Sequence, residues 1–171
     1  MATRLKRSPP PAVAAVELMP GDVVLGGVGA QFKTLLGSCV SVILTDPRRT
    51  LGSMCHIVHV GLPNAENRHN TAYGGVAMHS MFTQLRAAGI NPSLCQAYVY
   101  GGGNMFPQLF REKHVGSSNV EWVLHYLDTH GVAVVDQCLG GSGYRTVRWT
   151  VGPQAPVVET LFPEQGFQNG R

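Results

Sequence analysis

Helical periodicity is confined to two stretches of this 171-residue chain, and that limits the fold more than any other feature. Between 73 and 88, Ala77, Met78, Met81, Phe82, Leu85 and Ala88 recur at the spacing of one helical face, and Gly89 supplies a stop. Between 118 and 130, Val120, Val123, Leu124 and Leu127 do the same, with Ser118 and Glu121 at capping-box spacing. The remaining apolar residues come in short, often β-branched runs closed by turn residues, over 22–26, 32–37, 40–44, 52–60, 96–100, 132–139 and 144–151. Strands first, then helix, strand, helix, strand, strand, predicts an α/β (α+β) sandwich: a mixed, largely antiparallel sheet with two main helices packed on it. No repeat or domain boundary interrupts the chain. Residues 1–15, with Arg4, Lys6, Arg7 and Pro9 to Pro11, are expected to form a flexible leader, and 16–171 a single domain whose tail beyond Pro153 is weakly patterned.

Composition removes several function classes. Only 13% of residues are charged, against about 25% in an average globular protein, and the formal charge is +3. No basic stripe with interleaved aromatics runs through the sequence, so nucleic acid is not the expected partner. The basic N-terminus lacks the apolar run of a signal peptide, and no apolar stretch approaches the ~20 residues of a membrane span. Cys39, Cys55, Cys95 and Cys138 match neither paired zinc motifs nor a disulfide-dense small domain. The expected setting is the cytoplasm, with reduced thiols, no membrane insertion and at least one cysteine free to do chemistry.

The densest candidate site is Thr34-Leu35-Leu36-Gly37-Ser38-Cys39-Val40, with Cys55-His56 following. A glycine and a serine before Cys39 place the thiol at a strand junction, where backbone N–H groups can be left free for an anion. If Pro47 and Arg48 form a two-residue hairpin loop, Cys39 faces His56 with Cβ atoms roughly 4.5–5.5 Å apart. A four-residue loop slides the register by two and sets His56 diagonal to Ser41 instead. A thiol beside an imidazole makes a nucleophile whose leaving group the same histidine protonates. The competing reading is a buried core cysteine and a hydrogen-bonded strand histidine, and spacing alone leaves both open. Cys55, His56 and His59 suggest a metal site less well, because neighbours on a strand point to opposite faces. Gly101-Gly102-Gly103-Asn104 and Gly140-Gly141-Ser142-Gly143 lack phosphate-loop spacing and read as close backbone packing. His114, His125 and His130 read as surface groups, and Tyr73, Phe82 and Trp122 as core or helix-face residues.

Taken together, Leu36-Gly37-Ser38-Cys39-Val40-Ser41-Val42, Asp46-Pro47 and Gly52-Ser53-Met54-Cys55-His56 resemble the active-site hairpin of the CheD-type chemoreceptor glutamine deamidases. The resemblance continues through Tyr73, Gly101 to Met105, Gly116, Asn119, Asp136, Gly140-Gly141 and Arg145. It implies a catalytic domain in which Cys39 is the nucleophile, His56 the general base and acid, and Thr34 the group that orients the imidazole. It also implies oxyanion stabilisation near Gly37 and Ser38, an effect worth about 3–4 kcal/mol per donor in other enzymes. The implied reaction needs no cofactor and no metal: a glutamine side chain of a methyl-accepting chemotaxis receptor becomes glutamate through a γ-glutamyl thioester. Receptor methylesterase activity and coupling to a CheC-type phosphatase follow from the same likeness. The alternative class is a non-catalytic regulator that binds such a phosphatase or the receptor. Three positions depart from the pattern: Lys33 shares the neighbourhood where Thr34 must serve, the loop from Ile57 to Pro63 is long, and Tyr144 stands where a glycine is common.

Overall fold

The computed structural model describes residues 14–162, so most of the leader and the last nine residues of the expected domain lie outside it. In chain order the elements are β1 (Val16–Glu17), β2 (Val23–Gly27), β3 (Gln31–Leu36), β4 (Val40–Thr45), β5 (Leu51–Cys55), α1 (Gly74–Ala87), β6 (Gln96–Gly101), α2 (Val115–Thr129), β7 (Ala133–Leu139), β8 (Tyr144–Thr150) and β9 (Val157–Leu161). The strands divide between a five-stranded sheet, β2-β5-β4-β6-β7, and a four-stranded sheet, β1-β3-β8-β9. Pairing is antiparallel except for β1 with β3 and β6 with β7. The expected mixed sandwich is therefore present, but with its strands shared between two packed sheets. Neither described helix is long and apolar enough to cross a membrane.

The five-stranded sheet is the middle layer, and its central strand shows why. All six residues of β4 are buried. Val40, Val42 and Leu44 join the core under the helices with Met78, Met81, Leu85, Val123 and Leu127. Ile43, on the opposite face, packs with Leu36, Tyr98, Val147 and Trp149 against the four-stranded sheet. A strand covered on both sides has no polar face to show, so its sequence does not alternate.

One open alternative is resolved and two local expectations need correction. The hairpin register pairs Thr45 with Gly52 and Ile43 with Met54, which is the longer-loop alternative. Asp46 selects it: its carboxylate accepts from the N–H groups of Thr50 and Leu51 and from the Thr50 hydroxyl, at 2.7–2.9 Å. Second, α2 starts at Val115, and its capping box joins His114 and Ser117, not Ser118 and Glu121. His114 is thus a half-buried cap, whereas His125 and His130 are exposed as expected. Third, the run over 52–60 is strand only to Cys55, and the weakly patterned tail forms β9.

Candidate active site

The site lies where the two sheets meet, at the end of the sandwich where β3 passes into β4. Thr34 lies on the inner face of β3 at 2% exposure, while Lys33 points outward to Glu17 at 3.9 Å. The one-residue offset is thereby settled by the pleat: threonine faces the core and lysine faces solvent. Past β5, His56 donates its N–H to the Asp22 carbonyl at 3.0 Å, and Ile57 bridges Val40 in the continuing hairpin register. That register sets His56 directly opposite Ser41, not diagonal to it as expected, and one step diagonal from Cys39 on the same face. Cys39 and His56 line a common cavity of about 340 Å³, together with Leu18, Gly37, Leu35 and Tyr144.

Thr34 and His56 are joined directly. Thr34 Oγ1 donates to the Leu18 carbonyl at 2.9 Å and lies 2.8 Å from His56 Nδ1. The hydroxyl has one proton, and Leu18 takes it, so the second bond needs the proton on Nδ1. The imidazole is thereby held as the tautomer whose Nε2 is a free acceptor. Burial pushes the His56 pKa below its ordinary 6.5, an effect opposed by the Leu18 carbonyl and by Asp22. Burial pushes the Cys39 thiol above its ordinary 9.0. Both shifts favour the uncharged forms, thiol and imidazole.

Of the two oxyanion candidates, Gly37 lines this cavity, whereas the Ser38 side chain lines a neighbouring one of about 300 Å³ with Met105, Phe106 and Phe110. The N–H groups of Ser38 and Cys39 have no hydrogen-bond acceptor among the described residues. Cys55 is turned to the helix side, wholly buried, with its thiol pushed up by burial to about 12. It therefore cannot join His56 in a metal site.

The scaffold around Cys39 is made by residues far away in sequence. The Gly102 N–H donates to the Cys39 carbonyl and the Gly103 N–H to that of Gly37, both at 2.9 Å. Gly101 and Gly102 take φ of 114° and 68°, the left-handed region that glycine tolerates. Asn119, 1% exposed on α2, donates through Nδ2 to the carbonyls of Ser38 at 3.0 Å and Val58 at 3.3 Å. It ties the loop before Cys39 to the segment after His56.

The family model described as CheD chemotactic sensory transduction matches residues 61–158. A protein of Albidiferax ferrireducens, "Probable chemoreceptor glutamine deamidase CheD 2", is 36% identical over 78% of this chain and 80% of its own length. The chain belongs to the CheD family. A Pseudomonas savastanoi pv. phaseolicola protein, "Probable chemoreceptor glutamine deamidase CheD", is 35% identical over 81% of the chain and 80% of its own length. The CheD family match runs over the part of the chain that holds the glycine turn, Asn119 and Arg145, while Cys39 and His56 precede it. Sequence reasoning read the glycine turn as close backbone packing, which these contacts match, but gave Asn119 no role. Arg145, 4% exposed, is a second case: from β8 it donates to the carbonyls of Gly101 and Gly140 and to Cys138 Sγ, clamping the two sheets together beside the site.

Proposed function

We propose that this chain hydrolyses the side-chain amide of glutamine on methyl-accepting chemotaxis receptors, with Cys39, His56 and Thr34 as its catalytic group. The observation that carries the reading is the Thr34–His56 hydrogen bond of 2.8 Å, which leaves Nε2 free in the cavity that holds the Cys39 thiol. The names of the similar proteins supply the substrate class.

In this mechanism the Cys39 proton passes to His56 Nε2 as sulfur attacks the carboxamide carbon. The negative oxygen is met by the N–H groups of the Gly37–Cys39 turn. The proton on Nε2 then moves to the leaving nitrogen, the C–N bond breaks, and ammonia departs from a γ-glutamyl thioester. Water gives a proton to Nε2 and attacks the thioester carbon. The sulfur leaves, recovers that proton, and glutamate is released. Thr34 keeps the ring in one tautomer throughout. A glutamyl methyl ester fits the same sequence with methanol as the leaving group.

Mass spectrometry of a receptor cytoplasmic fragment incubated with the full chain tests the reading. The expected result is a gain of about 1 Da at glutamine that Cys39→Ala abolishes. No gain from the folded parent, with tight binding to the receptor or to a CheC-type phosphatase, would refute it in favour of a non-catalytic regulator.

A further inference from the structure

Ser41 is a polar residue beside the catalytic group that the mechanism leaves unused. It is 0% exposed at the second position of β4, and its hydroxyl has no hydrogen-bond partner among the described residues. Such a group costs stability, because water lost on burial is not replaced. Its neighbours narrow what it can bond. Ser41 shares the inner face of β4 with Cys39 and Ile43, two residues along a strand being about 6.7 Å apart. Across the sheet stand Tyr100, whose own hydroxyl donates to Asp136 at 3.2 Å, and His56. The other charged groups near the site are engaged: Arg145 is bonded to main-chain carbonyls and Cys138, the Asp22 carboxylate accepts from the Met19 N–H at 2.8 Å, and Glu17 lies beside Lys33.

The protonation states decide between the two remaining acceptors. At rest the thiol is neutral and a poor acceptor, and Nε2 is the natural acceptor for its proton. Once that proton moves, both ring nitrogens of His56 carry hydrogen and neither can accept. The new acceptor on the protein is then the sulfur, negatively charged until it bonds to carbon. We propose that Ser41 is a fourth catalytic residue, whose hydroxyl turns to donate a hydrogen bond to the Cys39 sulfur as charge collects there. No proton leaves Ser41. The bond forms with the thiolate, is lost when the new C–S bond neutralises the sulfur, and returns as the sulfur leaves the thioester carbon. An orphan donor in the resting state is what this role requires, since a donor already satisfied elsewhere would have to break a bond to serve. The inference rests on the cysteine-amidase reading for its place in turnover, but the sulfur contact itself does not need a receptor to be seen.

The test is Ser41→Ala in the full chain, with three readouts. Iodoacetamide labelling of Cys39, followed peptide by peptide by mass spectrometry across pH, is expected to shift its inflection up by about one pH unit and to slow about tenfold below it. Deamidation of the receptor fragment is expected to lose kcat by about ten- to a hundredfold with KM unchanged. The thermal midpoint is expected to hold or rise, because an unpaired buried hydroxyl has been removed. A folded variant with the parent labelling profile overturns the proposal, and so does a lowered midpoint, which would show the hydroxyl bonded at rest. If the parent deamidates nothing while the labelling shift appears, the amidase reading fails and the Ser41–sulfur contact stands.

Discussion

Replacing Thr34 by valine removes one oxygen from the interior and keeps the side-chain shape. The variant loses the bond from His56 Nδ1 at 2.8 Å and the bond to the Leu18 carbonyl at 2.9 Å. Two partners, one donor and one acceptor, are then left in a site where Thr34 was 2% and His56 3% exposed. A typical buried hydrogen bond contributes about 1 kcal/mol net, and a stranded polar partner costs about 1–3 kcal/mol. The two orphans can relieve each other if the ring swings toward Leu18, so the stability loss should fall near 2 kcal/mol. That swing is the catalytic lesion. It keeps the Nδ1 proton but re-aims Nε2 within the cavity it shares with Cys39, and a barrier increase of about 1.4–2.7 kcal/mol corresponds to a ten- to hundredfold lower kcat. The assay is steady-state receptor deamidation, with urea unfolding of the same samples. A Thr34→Val variant with parent kcat, or one whose only change is a higher KM, would refute the orienting role, because binding and not ring geometry would then be what threonine supplies.

Two further outcomes follow from the same geometry. Because the folded pKa of His56 lies below 6.5, the acid limb of kcat/KM should fall below that pH, and stability gained from the buried neutral ring should decline as pH drops below about 6.5; an acid limb above 6.5 would contradict the neutral resting pair. Gly116→Ala should destabilise by more than about 2 kcal/mol and depress activity, since a Cβ there would sit 2.5 Å from the carbonyl oxygens of Gly102 and Gly103 and push α2, with Asn119, off the Cys39 loop; unchanged denaturant midpoints and kcat would count against it.

Much of the site was legible because its chemistry is local in sequence. Gly37-Ser38-Cys39 and His56 flank one hairpin, and Thr34 is five residues before the thiol. What the hairpin could not reveal was its register, since Pro47 and Arg48 are compatible with a short loop. Asp46 favours the long one through three hydrogen bonds that exist only once the turn is closed. The start of α2 was missed because Val115, Gly116 and Ser117 carry no apolar period, and a histidine is not a typical cap. Ser41 was given no chemical role, because a serine in a β-branched run looks like any strand residue until both faces of the strand are seen to be covered.

By itself the sequence determined the class of fold, because periodicity and turn chemistry act over a few residues, and the resemblance of one hairpin supplied the proposed reactive pair. Tertiary structure alone decided how those residues are used. Splitting the strands into two sheets brought Thr34 from one layer to His56 in the other. Burial between the layers pushes the thiol pKa up and the imidazole pKa down, and it stranded the Ser41 hydroxyl. These are desolvation effects, set by what packs against a group and not by its neighbours in the chain. The contact from Asn119 to the Ser38 carbonyl spans 81 residues of sequence, and only the packed fold closes it.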